Sequence, residues 1–215
     1  SNILDEFMQR LKKKYDIYEK ILNAANYGVP QSRKRFVLHA VRKDINKELQ
    51  QYGFIFDLPK PTYDKNGLNG LKKWKTVRDA IGDLPELRAG ETYEDDGIIH
   101  NHKCASLSDT NLKRIKFIRK NGGSRDSLPE NLVLNCHKKT DDKGNVFSGH
   151  KDTYGIMDPN KPSPTITGGC LCYSKGRYGH YSQNRAISIR EAARLQTFPD
   201  DFIFNNSLTD SALQI

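Results

Sequence analysis

The chain has 215 residues, enough to bury a substantial core in one large domain or two small ones. A hydrophobic fraction of 36% and a charged fraction of 28% describe a polar globular protein. The sequence has no apolar run of bilayer-spanning length and no secretory-signal pattern, so a cytoplasmic, nucleoid-associated location is expected, without a membrane partner. The four cysteines (Cys104, Cys136, Cys170, Cys172) form no C-x-x-C pair, which excludes a disulfide scaffold and predicts reduced thiols.

The formal net charge of +9 is unevenly spread: +5 over 1–48, −2 over 49–110, +7 over 111–180 and −1 over 181–215. Basic surface held in two blocks attracts polyanions, nucleic acid first among them. A solvated lysine-rich surface would give the same count.

Leu4, Phe7, Met8, Leu11 and Tyr15 recur at helical spacing and predict an amphipathic helix reaching about Lys14. "IYEKILNAANYGV" and "RKRFVLHAVRK" then predict two antiparallel strands joined through a Gly-Val-Pro turn. Gln31, Arg33 and Arg35 precede the second apolar run at alternate positions. In extended chain, side chains two apart share a face, so these three would point at one place. Two strand-edge surface charges would satisfy the bare pattern equally well. After Asp44 the pattern decays, and "DLPKPTYDKNGLNG" (57–70) marks a loop or domain boundary.

"TVRDAIGDLP" predicts a short helix with Val77, Ala80, Ile81 and Leu84 inward. "SDTNLKRIKFIRKNGG" predicts another, with Leu112, Ile115 and Ile118 on one face, its lysines and arginines elsewhere, and Gly122 as its stop. Between Asn121 and Lys161 the polar sequence predicts long loops around a few short strands. Ser188 and Glu191 stand at capping-box spacing ahead of Ala192, Ala193 and Leu195, and Phe198-Pro199 ends that helix.

A zinc site could draw on His100, His102, Cys104, Cys136, His137, Cys170 and Cys172, but tight paired ligands are missing, because Cys170-Leu171-Cys172 is too close and unmatched. No metal is expected, and His100 and His102 read as loop surface residues.

Three stretches in order, "NAANYGVPQSRKRFVLHA" (23–40), "KPSPTITGG" (161–169) and "RAISIREAARLQTFPDDFIF" (185–204), resemble the later part of the DNA cytosine-5 methyltransferase family. The third is the most specific, being long and diverse in residue type. The resemblance implies an α/β chain: the edge of a methyltransferase Rossmann-like sheet, as an antiparallel strand pair, plus a mixed, loop-rich target-recognition domain. It divides the chain into 1–56 from the catalytic domain, 57–184 for target recognition and 185–215 as a helix returning to the catalytic domain. Gln31, Arg33 and Arg35 would line the active-site wall beside a flipped-out cytosine: Arg35 binding the base, Arg33 orienting acidic or phosphate groups, Gln31 holding the loop. A base must leave the stack before its ring carbon can be attacked, and arginine offers a planar, permanently charged set of donors. Thr165, Thr167, Gly168 and Gly169 match the family's Thr-Ile-Thr loop, which approaches double-stranded DNA. Lys151, Lys161, Lys175 and Arg177 would flank it as phosphate contacts. Arg190, Glu191 and Arg194 would be structural polar links.

The chain departs from common family usage at Ile156, where arginine is frequent, and at His180-Tyr181, where His-Pro is frequent. It contains no Phe-x-Gly-x-Gly segment for S-adenosylmethionine, no Pro-Cys-Gln nucleophile and no Glu-Asn-Val acid. In the family a cysteine thiolate attacks carbon 6 of cytosine, a glutamic acid protonates nitrogen 3, and carbon 5 takes the methyl group before β-elimination. The resemblance therefore implies a portion of a methyltransferase that binds no cofactor and is inactive alone. The opening at Ser1-Asn2-Ile3 favours truncation of a longer enzyme. The alternative is a stand-alone DNA-binding specificity module that partners a separate catalytic chain. Exposed edges of the strand pair predict self-association.

Overall fold

The computed structural model describes residues 2–94, 97–135 and 152–215. Helix α1 (Asn2–Lys12) carries Asp5 in its first turn and Arg10 and Lys12 in its last, charges that complement the helix dipole. It packs on a hairpin of β1 (Tyr15–Asn23) and β2 (Lys34–Arg42), antiparallel from Tyr15↔Arg42 to Asn23↔Lys34. The β-branched and aromatic content of both strands suits this pleated surface. Between them Asn23 fastens both ends of the connection, its Oδ1 accepting from Ala25 N (3.4 Å) and Arg33 N (3.0 Å). A 3-10 turn (Ala24–Tyr27) ends at Gly28, whose φ of +87° lies in the left-handed region. A Cβ there would lie 2.7 Å from the Tyr63 ring, so glycine is required twice over.

Helix α2 (Lys43–Gln51) follows β2 directly. It occupies sequence where the apolar pattern decays, because its buried residue is Asn46, whose Nδ2 donates to Asp16 Oδ2 (2.7 Å) and Tyr18 Oη (3.0 Å). The chain then returns to the 24–28 turn. There β3 (Tyr63–Asp64) and β4 (Lys72–Lys73) form a short parallel pair around a glycine-containing loop.

Helices α3 (Val77–Ile81), α4 (Asp109–Lys120), α5 (Ile189–Leu195) and α6 (Leu208–Gln214) form the body. The main core gathers Val77, Ile81, Leu84, Met157, Ile166 and Ile187 around α5, which buries Ile189, Ala192, Ala193 and Leu195. A second cluster joins Ile115 and Ile118 of α4 to Tyr154, Ile156 and Tyr173. Thus Ile156 is a core residue, with a bridge to Gly179.

Two expectations are corrected. The described part of 121–161 holds single-turn 3-10 helices (Arg125–Ser127 and Glu130–Leu132) in place of short strands. His102 is not a surface residue: it is buried between Ser188 Oγ (2.9 Å from Nδ1) and Pro85 O (2.8 Å from Nε2). Arg119 of α4, off the apolar face, turns inward. It is half-buried and donates to Tyr181 O (2.6 Å), His180 O (3.0 Å) and Asn184 Oδ1 (2.9 Å).

Candidate functional site

The three sequence stretches meet at Gln31. Around it, Ser32 N donates to Ser163 O (2.8 Å) and Ser163 N to Pro30 O (2.9 Å), a parallel bridge between segments far apart in sequence. The Gln31 amide is buried; its Nε2 donates to Leu195 O at the end of α5 (3.3 Å) and its Oε1 accepts from Ile166 N (3.3 Å). Arg33 Nη1 donates to Ile166 O (3.2 Å). Two side chains at alternate positions therefore hold both polar groups of one residue, Ile166, which lies between Thr165 and Thr167.

Arg35 is exposed, its Nη1 donating to Lys34 O (2.7 Å). Arg33 and Arg35 both line an open cavity of about 280 Å³, completed by Leu22, Ala24, Tyr27 and Pro59. The cavity offers an apolar floor and two cations, which suits a planar polar ring or an anion. A larger cavity, about 720 Å³, lies between α3 and the end of α5, where one arginine is held by two carboxylates. Arg194 donates there to Asp83 (2.6 Å) and Asp200 (2.7 Å).

The loop after Ile166 is braced by Tyr178, a residue with no signal in the sequence. Its hydroxyl donates to Thr165 O (3.2 Å) and lies 2.9 Å from Thr167 Oγ1, while Thr165 Oγ1 donates to Ser32 O (3.3 Å). Gly168 lies against α6, where a Cβ would meet Leu213 Cδ2 at 2.7 Å, and Gly169 lies against Lys175. Lys175 is exposed, and Lys161 is exposed but paired with Asp158 (2.9 Å). Arg177 folds back onto backbone, donating to Gly123 O (3.1 Å) and Ile156 O (3.3 Å) and pairing with Asp152. Lys151 lies outside the described residues, as do Cys136 and His137. Among the described residues no three metal-binding side chains converge.

The polar residues of α5 hold the body together. Arg190 is fully buried and donates to the carbonyls of His100 (2.8 Å), Pro199 (3.0 Å) and Phe202 (2.6 Å). Glu191 completes the capping box with Ser188 and takes a two-pronged bond from Arg185 (2.6 and 2.7 Å). Burial alone would raise the Glu191 carboxyl. Arg185, His180 and the Ser188 N–H together bring it below the ordinary carboxylate range.

The description "C-5 cytosine-specific DNA methylase" matches residues 1–215. The chain belongs to the C-5 cytosine-specific DNA methylase family. Relatives in this family include the type II methylase M.HgiDII of Herpetosiphon aurantiacus, 36% identical over 203 residues, covering 94% of this chain and 50% of that protein. The type II methyltransferase M1.HphI of Haemophilus parahaemolyticus is 36% identical over 88% of this chain and 41% of its own length. DNA (cytosine-5)-methyltransferase 3 of Arabidopsis thaliana is 31% identical over 95% of this chain and 17% of its own. The chain thus spans half or less of the length of these cytosine-5 methylases.

Proposed function

We propose that this chain is the target-recognising portion of a DNA cytosine-5 methyltransferase, carrying the arginine side of the active site. The observation that supports this most is the joint at Gln31, where the arginine-bearing segment, the Thr-Ile-Thr loop and α5 share hydrogen bonds through Ile166 and Leu195. In this reading a flipped cytosine enters the cavity of Arg33 and Arg35, and Arg35 meets the base edge. Thr165, Thr167, Gly168 and Gly169 face duplex DNA, with Lys161 and Lys175 at the flanks. Residues 1–56 belong to the catalytic domain, 57–184 recognise the target and 185–215 return to the catalytic domain. Such a protein works on the nucleoid, and the exposed hairpin favours self-association.

The nucleophile is assigned to neither buried cysteine. Burial raises the thiol pKa of Cys104 and pushes that of Cys170 up to about 11, so neither is a thiolate near neutrality. S-adenosylmethionine supplies the methyl group in this family. Among the described residues no strand runs into a glycine-rich helix start of the kind that cradles a nucleotide. Helix α2 follows β2 through Arg42, and α3, α4, α5 and α6 start at Thr76, Ser108, Ser188 and Ser207. The residues present do not fit the cofactor, and no step through it is assigned to them. Purified chain incubated with radiolabelled S-adenosylmethionine and cytosine-containing duplex is expected to transfer no label, and transfer above background would overturn this division of labour.

A further inference from the structure

The loop between β3 and β4 carries basic charge that averaging along the sequence conceals. Residues 58–78 hold six lysines or arginines against one acid, Asp64, inside a segment (49–110) whose net charge is −2. Asp64 is occupied within the loop, where its Oδ1 accepts from Asn66 N (2.8 Å) and Leu68 N (3.4 Å). Lys65, Lys72 and Lys73 are exposed, and no acid pairs with them among the described residues. Lys60 and Lys75 are exposed as well but have acids for neighbours: Lys60 lines a cavity with Glu19 and Asp57, and Lys75 lines one with Asp79 and Asp83.

This loop is fixed to the segment that carries the arginines. Thr62 N donates to Asn26 O (3.0 Å), and Trp74 Nε1 donates to Asn26 Oδ1 (2.9 Å). Tyr63 lies against Gly28, and Lys72 Nζ stands 5.9 Å from the centre of its ring. Tyr27 Oη donates to Pro59 O (2.9 Å), and Pro59 lines the cavity of Arg33 and Arg35. Gly67, Asn69 and Gly70 adopt left-handed backbone (φ +71°, +56° and +75°), which folds the loop tightly. Lys73 Cβ lies 3.6 Å from where a Gly67 Cβ would stand. Three cations with no acidic partner among the described residues are therefore carried beside the segment that bears the arginines, on a ribbon anchored at both ends.

We propose that Lys65, Lys72 and Lys73 contact the phosphate backbone of duplex DNA on the flank of the cytosine that Arg33 and Arg35 face. This rests on the methyltransferase reading above. Phosphate contacts by lysine position a duplex without reading its sequence, and each releases bound counterion.

The test is the affinity of the full chain for a random-sequence duplex, by fluorescence anisotropy from 50 to 200 mM salt, with the variant K65Q/K72Q/K73Q beside the wild type. At about 0.9 per phosphate contact, the slope of log affinity against log salt should become shallower by about 2.7. Across that fourfold salt range the wild type should lose about 40-fold more affinity than the variant. K65R/K72R/K73R should keep the wild-type slope. Each single glutamine substitution should remove about 0.9, so the answer does not depend on the triple variant folding. If the wild type binds and the glutamine variants bind with the same slope, the loop proposal is overturned while the methyltransferase reading stands. If the wild type does not bind duplex at any salt, both are overturned.

Discussion

At the scale of single residues, Gln31, Arg33 and Arg35 show what alternation in a sequence can and cannot convey. That the first two share a face was legible. That they converge on the peptide groups of Ile166 was not, because nothing local to residue 31 indicates a partner 135 residues away. The same geometry separates structural from chemical work. Gln31→Ala would leave Ile166 N–H and Leu195 C=O without their buried partner and should destabilise the chain by about 2 to 3 kcal/mol in urea unfolding. Arg35→Ala, on an exposed side chain, should change stability by less than about 0.5 kcal/mol. In a methyltransferase that contains this chain, as the proposed reading has it, the same Arg35→Ala change should lower methyl transfer by about 10²-fold or more, as loss of a charge-stabilising donor does. An Arg35 variant that unfolds the chain, or one with undiminished methyl transfer, would contradict that assignment.

At the scale of elements, helices with a capping signal and an apolar face were readable. In α3 and α5, Thr76 with Asp79 and Ser188 with Glu191 form reciprocal caps, and α4 starts at Ser108. Helix α2 escaped because Arg42 gives no side-chain cap and Asn46 takes the buried position. Helix α6 had its signal in Ser207 and Asp210, whose side chains bond at 2.6 Å, and that signal went unread. The N-terminus of α5 also carries a pH dependence. His180 Nδ1 accepts from Gln183 N (3.0 Å) and Ser182 N (3.2 Å), so the ring proton sits on Nε2, 3.5 Å from Glu191 Oε1. Burial depresses the His180 pKa to about 4; Glu191 opposes this, while Arg185, Arg119 and His102 reinforce it. The folded state thus holds a neutral ring that the unfolded chain protonates near pH 6.5. That stability is complete above about pH 6.5 and is lost as pH falls towards 4, where Glu191 begins to add its own loss. Unfolding free energy should therefore drop by about 2 to 3 kcal/mol between pH 7 and pH 4.5. His180→Asn should flatten that slope, and a wild-type profile flat over this range would contradict the account.

At the scale of the whole molecule, the body and the hairpin differ in how well they are covered. The body closes around α5, whereas the cross-strand pair Ile21 and Phe36 is 66% and 49% exposed, and Ile3, Leu4 and Phe7 of α1 are also open. The two strands form a two-stranded sheet with unpaired outer edges among the described residues. Light scattering should accordingly show a mass rising with concentration, and a monomer at high protein concentration would count against association through this face. Net charge by sequence block indicated a polyanionic partner but missed the loop at 58–78, where basic residues are diluted by acids that precede and follow the loop in sequence. The central claim, that this chain reads DNA for a cytosine-5 methyltransferase, is tested most directly by selecting duplexes bound by the purified chain from a random pool and sequencing them. The account predicts enrichment of one short cytosine-containing motif, with retention falling steeply as salt rises. Binding without enrichment of any motif would contradict it.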